Sequence, residues 1–204
     1  GRSGSVVFMT FSAAVAEQRD RPLGVLRLSL TARCNLACPY CCPDAVEPPG
    51  LMGLDQQLRL IRVAASLGAH TLRLTGGEPL LSVRLLPLLK QIQLGRSTSG
   101  DPMQGLRQVA LTSNGVLLTA DRARQLRQAG LDRITISLDA VEGAVAARMA
   151  GLRGGAVAGD RLVQQVTEAL RAAQSAGFLA EAGAIKLNAV IQRGVNDDQL
   201  LPLA

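Results

Sequence analysis

All four cysteines of this 204-residue chain fall between positions 34 and 42, in Cys34-Asn-Leu-Ala-Cys38-Pro-Tyr-Cys41-Cys42. Nothing else in the sequence limits its fold and chemistry as tightly. Disulfide frameworks spread their cysteines so that bridges close loops, whereas neighbours this close would constrain almost nothing. A structural zinc site takes four ligands, usually in two separated pairs, and no second pair exists here. Cys38-Pro-Tyr-Cys41 has the spacing of a thioredoxin-type redox pair, but such a pair opens a helix directly after a strand and has no use for a thiolate four residues earlier. Thiolates at i, i+4 and i+7 within one loop can instead ligate three irons of a cubane cluster, leaving the fourth iron open for chemistry. On this reading Cys34, Cys38 and Cys41 are the ligands, and Cys42, adjacent to the last of them, has a packing role. A non-catalytic zinc or redox binding module is the rival from another functional class.

The scaffold around the loop reads as a βα repeat. Apolar runs rich in β-branched residues predict strands at Val25–Thr31, Thr71–Thr75, Gln108–Thr112, Arg133–Leu138 and Ile185–Ile191. Helical patterns predict Asp55–Leu67, Leu80–Leu94, Ala120–Ala129 and Arg161–Ala176, with Gly68, Gly95, Gly130 and Gly177 as C-terminal caps. Strands alternating with helices imply an α/β fold with a parallel sheet and right-handed crossovers, whose active site lies at the C-terminal strand ends. Each conspicuous polar motif follows or closes a strand: Cys34 the first, Gly76-Gly77-Glu78-Pro79 the second, Ser113-Asn114-Gly115 the third, Ser137-Leu138-Asp139 the fourth. The stretches 97–105 and 151–159 read as surface-loop insertions. His70, the only histidine, reads as a solvated residue of the connection before the second strand.

Charge narrows the partners. The net charge is +6 and all basic residues but Lys90 and Lys186 are arginines, yet these are scattered, and only Phe8, Phe11, Tyr40 and Phe178 could stack on bases. A dedicated nucleic-acid binder is therefore disfavoured, while a small polyanionic substrate fits. No segment approaches the ~20 apolar residues of a membrane-spanning helix, so no membrane partner is expected. The stretch 6–16 ends in small residues like a secretory h-region, but only Arg2 precedes it and Met9 makes a natural start. Residues 1–24 are accordingly read as a partly disordered leader, and residues 25–204 as one core domain.

C-x3-C-x2-C with Tyr40 before the last cysteine resembles the signature loop of the radical S-adenosylmethionine (SAM) superfamily, and Gly76-Gly77-Glu78-Pro79 resembles its GGE motif. The resemblance implies a partial TIM-type (βα) barrel with about five of six βα units present. It also implies one 4Fe-4S cluster on Cys34, Cys38 and Cys41, with SAM chelating the open iron by its amino and carboxylate groups and the GGE backbone holding the amino group. Cofactor chemistry of this kind leaves position and shielding to the protein.

A longer ordered series looks like the GTP 3′,8-cyclase family of molybdenum cofactor biosynthesis. It comprises Leu26-Arg-Leu-Ser-Leu-Thr-Ala-Arg-Cys34-Asn35, Leu72-Arg-Leu-Thr-Gly-Gly-Glu-Pro-Leu80, Leu111-Thr-Ser-Asn-Gly115, Gly130-Leu-Asp-Arg-Ile-Thr-Ile-Ser-Leu-Asp139 and Ile185-Lys-Leu-Asn-Ala-Val with the later Arg193-Gly-Val-Asn196. The resemblance implies GTP contacts at Arg27, Arg73, Thr112 and Lys186, and SAM contacts at Tyr40, Gly76, Gly77, Glu78 and Ser137. An arginine inside a strand and facing a barrel interior is costly unless an anion meets it, which favours substrate contact for Arg27 and Arg73. The implied reaction removes the ribose 3′ hydrogen of GTP and joins C3′ to guanine C8, giving 3′,8-cyclo-7,8-dihydro-GTP. A reductant for the cluster and a cytoplasmic setting follow from the same resemblance, which also leaves room for a homodimer. The family continues beyond the position of Ala204 with a sixth strand, a second three-cysteine cluster contacting guanine and a Gly-Gly tail. The chain is thus expected to be an N-terminal portion not fully competent by itself, the alternative being a decayed or reduced relative. A peptide-modifying maturase is the alternative within the superfamily.

Overall fold

The computed structural model describes residues 22–41 and 46–204. The reading of residues 1–21 as leader and the packing role of Cys42 therefore lie outside the described residues.

The five strands alternate more strictly than is usual for a parallel sheet. Parallel strands are commonly buried on both faces and read as continuous apolar runs. Here β1 (Gly24–Ser29), β2 (Ala69–Thr75), β3 (Gln108–Ser113), β4 (Arg133–Ser137) and β5 (Ile185–Asn188) set leucine, isoleucine or valine on one face and arginine, lysine, serine or threonine on the other. Side chains in a strand point to opposite faces with period two. Leu28, Leu72, Leu74, Val109, Leu111, Ile134 and Ile136 accordingly enter one buried core, while Arg27, Arg73, Thr112 and Thr135 lie on the opposite face. A sheet with this pattern has one face for helices and one for something polar.

The sheet order is β1-β2-β3-β4-β5, with every neighbouring pair parallel. Right-handed crossovers that never reverse direction put every helix on the same face, which is the half-closed form of a (βα) barrel rather than a doubly wound sheet. The helices are α1 (Leu54–Ser66), α2 (Leu85–Ser97), α3 (Ala120–Gln128), α4 (Gly143–Met149), α5 (Gly155–Ser175) and the short α6 (Leu200–Leu203). Leu58 and Ile61 of α1, Leu85, Leu88, Leu89 and Ile92 of α2, Leu126 of α3, and Leu162 and Val166 of α5 lie three or four residues apart and fill the core against the strands. Each such side chain removed from water contributes about 1.5–3 kcal/mol. Among the described residues no helix is long and apolar enough to cross a membrane.

Gly68, Gly130 and Gly177 follow helix ends at φ of 92°, 94° and 90°, the left-handed cap expected of them. Gly95 does not: it is a buried residue within α2, where a β-carbon would lie 2.1 Å from Cε of Met103. The predicted helix Leu80–Leu94 also starts five residues late. Pro79–Leu81 forms a separate 3-10 turn capped by the Glu78 side chain, and only after Ser82 does the chain turn into α2.

Both predicted surface insertions are built into the fold. Pro102–Gly105 is a 3-10 turn with Met103 fully buried, and Asp101 pairs with Arg62 of α1 at 3.0 Å. Gly155–Gly159 is the first turn of α5, and α4, absent from the sequence reading, packs against it. A β-carbon on Gly159 would fall 1.7 Å from the Gly143 carbonyl oxygen, so glycine there permits contact between two helix backbones rather than flexibility. His70 is exposed but belongs to β2, with Nδ1 3.0 Å from the Thr71 hydroxyl.

Candidate functional site

The loop after β1 that carries the cysteines is fastened on several sides. Leu30 N–H donates to Thr75 O (2.9 Å), Gly77 N–H to Thr31 O (2.7 Å) and Glu78 N–H to Arg33 O (2.8 Å), which ties the loop to the end of β2. That contact explains the two glycines: a β-carbon on Gly76 would lie 2.6 Å from Thr31 O, and one on Gly77 2.3 Å from Arg33 O. Glu47 accepts from the Thr31 hydroxyl and from Ala32 N–H at 2.9 Å. Asn114, beyond β3, donates to Asn35 Oδ1 (2.8 Å) and approaches Cys34 Sγ (3.8 Å). On the far side Ala37 N–H donates to Ala150 O, and Gly151, at φ 66°, lets the chain after α4 pass where a β-carbon would touch Ala37 O. The Gly-rich segment is thus a seat for the cysteine loop.

Glu78 is the hub beneath the loop. It is fully buried, and its carboxylate accepts from Leu80 N–H, the Ser113 hydroxyl and Asn114 N–H at 2.8–2.9 Å. Burial pushes its pKa up while these three bonds pull it down. The carboxylate is consequently engaged inside the protein. An ammonium group only donates, so what the GGE turn can offer one is carbonyl oxygen, and that of Glu78 already accepts from Leu81 N–H at 3.0 Å.

Tyr40 reaches across to β4. Its hydroxyl donates to Asp139 Oδ2 at 2.5 Å, and burial, followed by this bond, raises its pKa. Asp139 Oδ1 accepts from Val190 N–H, and fully buried Asn196 donates to both Asp139 O and Val190 O. Cys38, Tyr40, Asn114, Ser137, Asp139 and Met149 line one pocket. Of the SAM contacts implied by resemblance, the fold brings Tyr40 and Ser137 together there, whereas Gly76, Gly77 and Glu78 lie under the cysteine loop.

The thiols of Cys34, Cys38 and Cys41 are free, the first two half-buried and the third exposed. Burial raises the Cys38 pKa first, the Tyr40 hydrogen bond opposes this, and the charges of Asp139, Cys34 and Cys41 raise it further. Three sulfur side chains on one loop are ligands that a metal centre takes up as thiolates. Among the described residues no three Cys, His, Asp or Glu side chains gather around one point as a single ion would require. A cubane does not need that, because its three thiolates bind three different irons. The residues fit a cluster of that kind.

Below this rim lies the polar sheet face. Arg27 pairs in register with Arg73, Arg73 with Ala110, and Ala110 with Arg133, forming one row. Two residues higher, Ser29 pairs with Thr75, and Thr112 with Thr135, which pairs with Lys186. Arg27, Arg73, Thr112 and Lys186 therefore share the uncovered face, with Arg27 and Lys186 exposed and the other two half-buried. Sequence reasoning missed Arg133 and Glu47, and it placed Asn114 and Asp139 in strand-end motifs without a role for either. Period-two alternation in Arg133-Ile-Thr-Ile-Ser137 would have put Arg133 on the polar face; the other three act through contacts across the fold that no local signal carries.

The chain is similar to GTP 3′,8-cyclase of Synechococcus sp. (strain CC9605), 68% identical over 196 residues covering 96% of this chain and 56% of that protein. It is likewise similar to GTP 3′,8-cyclase of Parasynechococcus marenigrum (strain WH8102), at 69% identity with the same coverage. The chain thus spans about half the length of the curated relatives it matches. Among solved structures, Streptococcus suis SuiB bound to S-adenosylmethionine superposes with a TM-score of 0.63 at 18% identity, covering 89% of this chain and 37% of that one. This last likeness speaks for the fold alone, a half-barrel whose strand ends hold a cysteine loop. Because residues 28–204 match the Radical SAM superfamily as well, this chain belongs to that superfamily.

Proposed function

We propose that this chain forms the radical-generating and phosphate-binding part of a GTP 3′,8-cyclase, which converts GTP to 3′,8-cyclo-7,8-dihydro-GTP in molybdenum cofactor biosynthesis. In this reading Cys34, Cys38 and Cys41 hold a 4Fe-4S cluster. Tyr40, Ser137 and the carbonyls of the Gly76-Gly77-Glu78 turn hold SAM. When bound, the cluster and SAM would together supply a 5′-deoxyadenosyl radical.

The residues of this chain then have three tasks. The bonds from Gly77, Glu78, Asn114, Tyr40 and Ala37 keep the cysteine loop from shifting relative to the strand ends. The apolar wall of Leu36, Leu138 and Met149 beside Cys38 keeps water from the pocket where a reactive species would be lost. Arg27, Arg73, Lys186 and Thr112 hold the nucleotide by its phosphates. Guanidinium groups bind phosphate oxygens through paired, charge-assisted hydrogen bonds. The observation that carries the proposal is this cationic strand face directly beneath the cysteine loop. A peptide-modifying maturase would have no use for such a face, and the identity to curated cyclases supports the same choice. An open iron is oxygen-sensitive, so the reading also calls for a reductant and a reducing compartment.

The test is anaerobic reconstitution with iron and sulfide. The expected result is a cluster whose electron paramagnetic resonance signal changes on adding SAM, together with GTP-dependent release of 5′-deoxyadenosine. Zinc uptake with no SAM-sensitive signal would return the chain to the binding-module reading. A SAM-sensitive cluster with no GTP binding would favour another radical SAM reaction.

A further inference from the structure

We propose that Arg133, together with Arg27 and Arg73, forms a transverse row of guanidinium groups across the inner sheet face that binds a polyphosphate chain. The identification of that polyphosphate as part of GTP rests on the function proposed above.

The sheet register establishes the row. Arg27 is paired with Arg73, and Ala110 stands between Arg73 and Arg133 on neighbouring strands. Parallel strands are spaced about 4.8 Å apart, so Arg73 and Arg133 rise on either side of a single methyl group. The small residue leaves a slot with a cation on each flank.

Among the described residues the row has no counter-charge. The ion pairs among the described residues join Arg62 to Asp101, Arg96 to Asp132 and Arg124 to Asp121, and none involves the row. The Nε atoms of Arg73 and Arg133 are both buried without a hydrogen-bond partner. Burial lowers the Arg133 pKa, and the nearby positive charge of Arg73 lowers it further, as two close cations require. Partly desolvated like charges without an anion oppose folding. A polyanion entering the slot would satisfy both Nε–H groups and remove the repulsion in one step.

Position along the strands sets the direction of the ligand. The arginine row lies two residues, or about 7 Å, below the Ser29, Thr75, Thr112, Thr135 and Lys186 level. A ligand whose phosphates run from the arginine row up to Thr112 and Lys186 extends toward the cysteine loop, presenting its sugar to the rim.

Calorimetric titration of the anaerobically purified protein with inorganic tripolyphosphate, GTP and SAM tests the proposal. Arg133→Gln is expected to weaken both tripolyphosphate and GTP about 10- to 100-fold, the range of one charge-assisted contact. SAM affinity should not change, and the melting temperature of the free protein should hold or rise because a like-charge contact is removed. Arg133→Lys, which keeps the charge but not the fork, should recover part of the affinity and covers the case in which Arg133→Gln fails to fold. Wild-type affinity for tripolyphosphate in either variant, or a lowered melting temperature with unchanged binding, would overturn the proposal. So would a wild-type protein that binds no polyphosphate. If tripolyphosphate binding depends on Arg133 but GTP binds no better than other nucleoside triphosphates, the polyphosphate row stands and the GTP reading falls.

Discussion

The rim and the inner face of this half-barrel are both polar, but they are polar in opposite ways. At the rim, Glu78, Asp139, Asn196 and Glu47 each accept or donate two or more hydrogen bonds within the protein. On the inner face, Arg27, Arg73 and Arg133 stand in one row with no carboxylate among them and two buried Nε atoms unpartnered. A satisfied buried network rigidifies, whereas an unsatisfied one stores a demand for a ligand. The rim is therefore a mount for the cysteine loop, and the face is the receptor proposed above. Replacing rim residues should cost stability or cluster, while replacing face residues should cost ligand affinity and leave the fold alone.

The largest expected effect falls on the mounted group itself. Cys34→Ala should abolish incorporation of a cluster, measured as iron and sulfide per chain after reconstitution, and Cys42→Ala should leave it intact. Equal loss in both would break the three-ligand assignment. Next comes the hub. In Glu78→Gln the new amide would turn a donor toward either Asn114 N–H or the Leu80 N–H and Ser113 pair, leaving buried donors facing each other. Unfolding stability should fall by about 1–3 kcal/mol, the cost of an unmet buried polar group. Glu78→Gln with wild-type stability would mean that the rim is less tightly built than its bonds suggest. Arg73→Gln supplies the contrast: GTP affinity should drop about 10-fold or more for one lost charged contact, SAM affinity should hold, and the melting temperature should not fall.

How much of this the sequence carried depends on the range of the contact. Local signals were sufficient for the five strands, for three of the helix caps and for the positions where polar motifs meet strand ends, because period, glycine and strand order act within a few residues. They failed where tertiary contact overrides composition. Gly155-Ala-Val-Ala-Gly159 has the makeup of a loop, yet it is helical because α4 approaches close enough to exclude any side chain at Gly159. Gly95 has the position of a cap, yet it makes room for Met103. The GGE glutamate is legible as a motif residue, but its partners Ser113 and Asn114 lie 35 and 36 residues away, and its structural use follows from them. The inner face shows the converse: alternation in Arg133-Ile-Thr-Ile-Ser137 is a local signal that suffices to set Arg133 opposite the core, though it went unread, and only the register aligns it with Arg73.

The smallest effect distinguishes two acids of the same rim. Burial raises the pKa of Glu78, whereas the hydrogen bonds from Thr31 and Ala32 lower that of Glu47. A carboxyl whose folded pKa lies below its unfolded value, about 4.3 for glutamate, contributes stability that is complete above that value and disappears as pH falls toward the folded pKa. For Glu78 the sign reverses: the folded protein holds the proton more tightly, so its contribution declines as pH rises from the unfolded toward the folded value. Melting temperatures of wild type and Glu47→Gln should accordingly differ at pH 7 and draw together as pH falls below the unfolded value of ~4.3. Because every other carboxyl titrates in both proteins, the difference between them isolates Glu47. A gap that persists unchanged into acid would show that Glu47 supports the cysteine loop by packing alone, and the rim would then owe its rigidity to Glu78 and the backbone contacts of Gly77.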